Sequence, residues 1–326
     1  MKFLKNFISI PLFTFITGFL LFQACEPTDI SSTGEVNVKI TDAPSDDASI
    51  QGVFVTVAEV KVDGESYSGF QGKQTIDISA YQNGQTKALG LAELETGTYS
   101  NITLVLDTET DANGNAPGCY VLMANNEKEN LAASGQSTIE ITSNAAFEVK
   151  ENTTSDIVID MDLRKCIQYE DQNSAEPTFS FVSQSELGAS VRVVNEEEAG
   201  TVSGSFETTL FSDPDKVVVY AYKKGTFNKD TETQAQGSGN IQFKNAVTSV
   251  VAVKGSGEYS YQLSFLEEGD YEVCLVAYDD SDGDGEYTFE GFLNASIFLG
   301  GSVTTDLSVS AGLSTSLALS IIGIIG

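Results

Sequence analysis

The sequence predicts an all-β protein made of two antiparallel β-sandwich domains. Three observations carry that prediction. Apolar and polar residues alternate at period two in many short segments, as where Val36, Val38 and Ile40 interleave with Glu35, Asn37 and Lys39. Turn-forming Gly, Asn, Asp and Pro recur between those segments, and no long stretch carries a capped 3.6-residue period. The chain has 326 residues, 41% of them apolar, which suffices for about two domains with cores of their own.

A leader precedes the strands. Lys2 and Lys5 stand before a mostly apolar run from Phe7 to Phe22, whose length and abrupt end suit a signal peptide better than a membrane span. Leu21-Phe22-Gln23-Ala24-Cys25 resembles a lipobox, the processing signal of bacterial lipoproteins. That resemblance implies a signal peptide at residues 1–24 and a lipidated Cys25 as the anchor in the membrane. An ordinary secretory peptide with a spare Cys nearby is the plainer alternative. Residues 25–33 then form a polar tether. Its early acids resemble the surface-export signals of some Gram-negative lineages, although an arbitrary solvated linker looks the same. The expected location is the outer membrane of a Gram-negative-type bacterium, facing the periplasm or the cell surface.

The first domain is expected at residues 34–194. Its opening strand turns at Asp42-Ala43-Pro44-Ser45. Val53, Val55 and Val57 then alternate before the phase slips to Val60 and Val62, as a bulge causes. Further strands are expected at Thr75–Ile78, Ile102–Asp107, Thr138–Thr142, Asp156–Met161, Phe179–Val182 and Val191–Val194, with Ala88–Leu94 as a short helical candidate. The segments Gly34–Pro44, Val53–Val62, Leu89–Leu94, Gly97–Leu104 and Ile157–Leu163 resemble the domain-of-unknown-function family 4382 over about residues 33–194. The resemblance implies a bacterial secreted or lipid-anchored protein. It brings no catalytic residues with it.

Asn195-Glu196-Glu197-Glu198-Ala199 reads as an acidic hinge, leaving residues 200–326 for the second domain. Gly200–Ser205, Val217–Tyr222 and Gly269–Val276 resemble the transthyretin-like, carboxypeptidase-regulatory-like sandwich. Members of that family are mostly structural or adhesive accessories. Lys223–Asn245 is polar and reads as a mobile loop. Val303–Val309 and Ser316–Ile322 are apolar closing strands, and the stretch Leu317–Gly326 is too short to span a bilayer.

Composition excludes whole classes of function. The net charge of −30 repels phosphate backbones, so no nucleic-acid partner is expected, whereas divalent cations suit such a surface. There is no His, which removes Ser-His-Asp and Cys-His nucleophiles and His-ligated metals. There is no Trp, the best platform for stacking sugars. Four Cys occur. With Cys25 lipidated, Cys119 and Cys166 share a domain and are the disulfide candidate for an oxidising compartment. Cys274 reads as a small buried hydrophobe.

The sharpest chemical motif is Asp280-Ser281-Asp282-Gly283-Asp284-Gly285-Glu286. Hard cations take oxygen ligands, and alternate positions of a tight loop put Asp280, Asp282 and Asp284 on one side. The Glu286 carbonyl adds a further oxygen, so Ca²⁺ is the expected cofactor. Gly291 stands where the helical form of such a loop carries its final Glu, and an acidic hairpin that simply stays solvated is the alternative. Glu109–Asn115 is a weaker echo of the same pattern. Tyr220 with Tyr222, and Tyr259 with Tyr261, form pairs on one strand face that suit either sugar stacking or ordinary packing.

No nucleophile elbow, phosphate loop or dinucleotide fingerprint is present. The sequence therefore predicts a non-catalytic, lipid-anchored envelope protein that binds or scaffolds, with a protein or glycan partner. A pilus-type subunit that pairs by donated strands is the second reading, invited by Ser316–Ile322. A carboxylate-based glycan hydrolase is the third.

Overall fold

The computed structural model describes residues 32–43, 50–123, 125–133, 135–169, 179–207, 214–281, 287–299, 302–304 and 307–325. The leader, Cys25 and most of the tether lie outside them. The fold is all-β, and the strands form where period two is strongest.

The first half builds two main sheets around one core. One sheet has the order Val191–Asn195, Thr154–Asp162, Thr33–Ala43, Lys87–Glu95. Its two central strands run parallel, with Val38 beside Ile157 and Ile40 beside Ile159. Pairing is therefore not strictly antiparallel as expected. The chain leaves after Ala43, builds the other sheet and returns, so both strands enter from the same end. The other sheet is organised on Ile50–Val62, which pairs with Tyr120–Met123 at its start and Ile102–Asp107 at its end. The register slips between Val57 and Glu59, the bulge that the valine phase predicts. Val36, Val38 and Ile40 face Val53, Val55 and Val57 across a fully buried core.

Ala88–Leu94 is not helical. It lies within the strand Lys87–Glu95, antiparallel to Thr33–Ala43. Gly90 explains part of this, because a Cβ there would sit 1.9 Å from the Gly69 carbonyl oxygen. The chain bridges to Phe70 at that point, and only a bare backbone fits. Tertiary pairing overrides a weak local preference.

The second half is one curled sheet, in the order Thr248–Val251, Lys216–Lys223, Gly269–Asp279, Thr288–Leu299, Ser314–Ile325, Ala199–Phe206, Tyr259–Glu267, Val253–Lys254. Its first and last members are two halves of one bent strand, joined at Ala252. The sheet thus closes on itself and encloses Val202, Val219, Leu263, Leu275 and Leu317. Ser314–Ile325 is paired on both sides, parallel to Ala199–Phe206 and antiparallel to Thr288–Leu299.

Lys223–Asn245 is not a loose loop. Phe227 and Phe243 fold over the outer face of the sheet and pack on Tyr220, Tyr222 and Phe292. The Phe243 ring stacks on Tyr220 at 4.5 Å. Glu232, buried in the short helix Lys229–Glu232, accepts hydrogen bonds from the Tyr222 hydroxyl at 2.9 Å and the Asn245 backbone N–H at 3.1 Å. Two aromatic anchors and one satisfied buried acid hold the segment down.

Ser32–Gly326 forms one compact unit. The two halves are joined by the 3₁₀ turn Glu196–Glu198, capped by Asn195, whose side chain accepts the Glu197 N–H at 3.1 Å. Lys39 fastens that turn by ion pairs to Glu196 at 2.7 Å and Asp156 at 3.0 Å. A small apolar cluster of Val158, Val194, Ala199 and Phe265 fills the contact beyond it.

Candidate functional site

The strand Gly269–Asp279 and its partner Thr288–Leu299 hold the root of the acidic loop, with Asp279 opposite Thr288. Asp282, Asp284 and Glu286 lie outside the described residues, and Asp280 is the predicted ligand that is described. Its backbone N–H donates to the Asp215 carboxylate at 2.9 Å. Asp215 itself arrives just ahead of Lys216–Lys223, the strand that pairs with Gly269–Asp279. A hydrogen bond shared with Asp215 pushes the Asp279 carboxyl above its ordinary value, with burial and the Asp215 and Asp280 charges adding to it. Burial, then the Asp279 and Asp215 charges, push Glu290 up as well. Four carboxylates thus converge where the loop begins. Among the described residues no group of three or more acids, Cys or His is arranged to hold a metal.

The echo at Glu109–Asn115 is used up by its own turn. Asp111 accepts the backbone N–H groups of Asn113 and Asn115, each at 2.8 Å. Those bonds, the one from Asn115 first, hold its carboxyl below the usual range. The turn is an ordinary Asx arrangement.

The expected Cys119–Cys166 disulfide does not form, and both residues are free, buried thiols. Cys119 donates to the Asp107 carbonyl at 3.3 Å, and burial pushes its thiol up to about 12. Cys166 closes the turn Leu163–Cys166, where burial and the charges of Asp162 and Asp42 push it up further. Each sulfur packs in its own part of the core, and such thiols are inert. Cys274 is buried as expected. The tyrosine pairs are also interior: Tyr259 and Tyr261 line the enclosed core, and Tyr220 and Tyr222 lie under the aromatic cover. None offers a face to a sugar.

The junction between the halves carries a charged cluster that sequence reasoning missed. Asp42, Asp160 and Asp162 sit at the ends of the parallel strand pair, all buried. Arg192 pairs with Asp160 and donates to the Phe265 carbonyl at 3.0 Å. Arg164 and Lys165 both reach Asp162, at 2.8 and 3.1 Å. Lys165 also donates to the Ala246 carbonyl at 2.7 Å, and the Arg164 guanidinium lies 5.0 Å from the centre of the Tyr220 ring. Burial alone would raise Asp162, but the Arg164 and Lys165 charges hold it below its ordinary value. Asp42 has the reverse fate: burial, then the Asp162 and Asp160 charges, push it well above. Farther along, Glu186 accepts from the Ser238 hydroxyl at 2.6 Å and pairs with Lys244 at 3.2 Å. The Ser238 bonds, the hydroxyl's first, bring the Glu186 carboxyl down to about 2. The periodicity of single strands could not have shown this cluster, because its members meet only through inter-strand register and the packing of the two halves.

The class of protein is thus an all-β chain whose two halves share a polar, buried junction. Residues 33–177 match the family model described as Domain of unknown function (DUF4382), so this part of the chain is a DUF4382 domain. No curated protein matches the chain. Solved structures with a local likeness include the minor pilin GBS52 of Streptococcus agalactiae, at 13% identity over 89% of this chain and 97% of that one, TM-score 0.19. The fimbrial anchor protein Mfa2 of Porphyromonas gingivalis is 11% identical over 84% of this chain and 100% of its own, TM-score 0.19. The major pilin BcpA of Bacillus cereus is 9% identical over 89% and 70%, TM-score 0.20. At such TM-scores these structures are not templates for this chain. Among the described residues no helix is long and apolar enough to cross a membrane.

Proposed function

We propose that this is a non-catalytic protein of the bacterial cell envelope, lipid-anchored through Cys25, that binds or scaffolds through two β-sandwich domains meeting at residues 195–199. The observation that carries the reading is where the chemically capable side chains are spent. The tyrosine pairs are packed inside, the acids of the junction are paired with Arg164, Lys165 and Arg192, and the thiols are buried. What is left for function is surface, and the lipobox resemblance puts that surface on the outer membrane. A calcium ion at Asp280, Asp282, Asp284 and the Glu286 carbonyl, backed by Asp215 and Asp279, would offset the charge that crowds the hairpin root.

Metabolic labelling with an alkyne fatty acid tests the anchor. Label on the wild-type chain, lost in Cys25→Ala together with release from the membrane fraction, is the expected result. An unlabelled wild-type chain overturns it. Calcium titration by calorimetry tests the loop: a saturable heat abolished by Asp282→Ala with Asp284→Ala is expected, and no heat at millimolar calcium reduces the loop to a solvated turn. The pilus-type reading finds no support in the tail, because Ser314–Ile325 is held on both sides within its own sheet.

A further inference from the structure

A groove enclosing about 300 Å³ opens at the junction, lined by Asp42 and Asp160 from the first half and by Thr248, Ser249 and Phe265 from the second. Two of its buried polar atoms have no hydrogen-bond partner among the described residues: Asp42 Oδ2 and Ser249 Oγ. Asp42 is 7% exposed and Ser249 4%. The other Asp42 oxygen has one long bond, from the Leu163 N–H at 3.4 Å. Buried polar atoms are nearly always satisfied, so two orphans facing one groove call for an occupant.

The charges around the groove say what it is. Asp160 is matched by Arg192, and Asp162 by Arg164 and Lys165. The third acid, Asp42, has no such partner, and its neighbours on the first half are those same two carboxylates. The Thr41 hydroxyl is already engaged by the Tyr81 and Gln85 carbonyls, at 2.9 and 2.8 Å. The open positions are thus oxygens, with a negative charge left over.

We infer that this groove is a cation site for a hard divalent ion of the calcium class, bound by Asp42 Oδ2, Asp160 and Ser249 Oγ, with water completing the shell from the open side. Calcium takes oxygen ligands in flexible geometry and keeps waters where the protein supplies too few. Two carboxylates at one position favour a divalent over a monovalent ion. Asp42 and Asp160 belong to the first half and Ser249 to the second, so the ion fastens one to the other. Binding therefore stabilises the whole chain by mass action.

The test uses the full chain in detergent carrying Asp282→Ala and Asp284→Ala, so that the hairpin contributes no heat. Calcium chloride alone is titrated by calorimetry. One saturable equivalent is expected, absent in Asp42→Asn and weakened at least about tenfold in Ser249→Ala, equivalent to about 1.4 kcal/mol. Circular dichroism without calcium checks that Asp42→Asn is folded, and Ser249→Ala decides the matter if it is not. No saturable heat overturns the site, as does heat that survives both substitutions. Heat in the wild type that vanishes with the hairpin substitutions alone leaves the hairpin site standing and sinks this one.

Discussion

Two groups of carboxylates, one at the hairpin root and one at the junction, show what burial does to the same chemistry. At the hairpin, Asp215, Asp279, Asp280 and Glu290 crowd together near water, and the crowding is relieved by raised proton affinity at Asp279 and Glu290. At the junction, Asp42, Asp160 and Asp162 are buried, and three cations are buried or half-buried with them. Solvent screens the first group cheaply. The second must be matched charge by charge, because an unpaired buried charge costs several kcal/mol. The junction is therefore where single substitutions act most strongly.

The largest effect is expected from Asp162→Ala, which takes away the carboxylate shared by Arg164 and Lys165. Breaking a buried pair on one side costs about 3–5 kcal/mol, read as a fall in the denaturant midpoint with an unchanged slope. An effect under about 1 kcal/mol would show the cluster to be wet. Asp42→Asn comes next and has the opposite sign in calcium-free buffer. Asp42 binds its proton more tightly folded than unfolded, so its contribution is fully present below the ordinary value of 3.8 and is lost as pH rises through the raised one. The variant should therefore be more stable than the wild type at neutral pH, by about 1–3 kcal/mol, and the gain should vanish near pH 3. A loss at neutral pH without calcium would contradict that.

Asp215→Asn sharpens the contrast from the other side. It should leave the calcium-free melting temperature within about 2 °C, as a surface change does, while weakening the calcium response of the hairpin. A large drop without calcium would mean that the root is structural. Glu186→Gln has the smallest expected effect, at most about 1 kcal/mol, because water screens a partly exposed pair. Glu186 is held low by Ser238, so its contribution is present above the ordinary value of 4.5 and fades as pH falls toward about 2. The wild-type and variant stability curves should accordingly converge at acid pH, and parallel curves down to pH 2 would refute the assignment.

What the sequence made legible was whatever a single strand can record. The slip from Val57 to Val60 named the bulge, because a bulge shifts the phase of burial in the strand that carries it. Ile102–Asp107 was readable to the residue. What failed needed a second strand. Leu89-Gly90-Leu91 looks helical until the Gly69 carbonyl arrives opposite Gly90. Phe227 and Phe243 are isolated among polar residues, so nothing local marks them as anchors of a cover. Asp215 joins Asp279 through pairing between strands far apart in the chain. Asp42 looked like a turn residue after an alternating strand, and only the approach of Ser249 and Phe265 makes it a buried acid.

The place of Ser314–Ile325 inside the second sheet also sets an order of events. A chain that crosses a membrane from its N-terminal end delivers Thr33–Asn195 first, and that half has every strand of its own sheets in hand by then. The second half does not. Ala199–Phe206 and Thr288–Leu299 both wait for Ser314–Ile325 to fill the gap between them. Until it arrives, two strand edges stay open to any other strand nearby. Assembly of the second sheet is thus a single late step, and the interval before it is when this chain most needs to be kept from its neighbours.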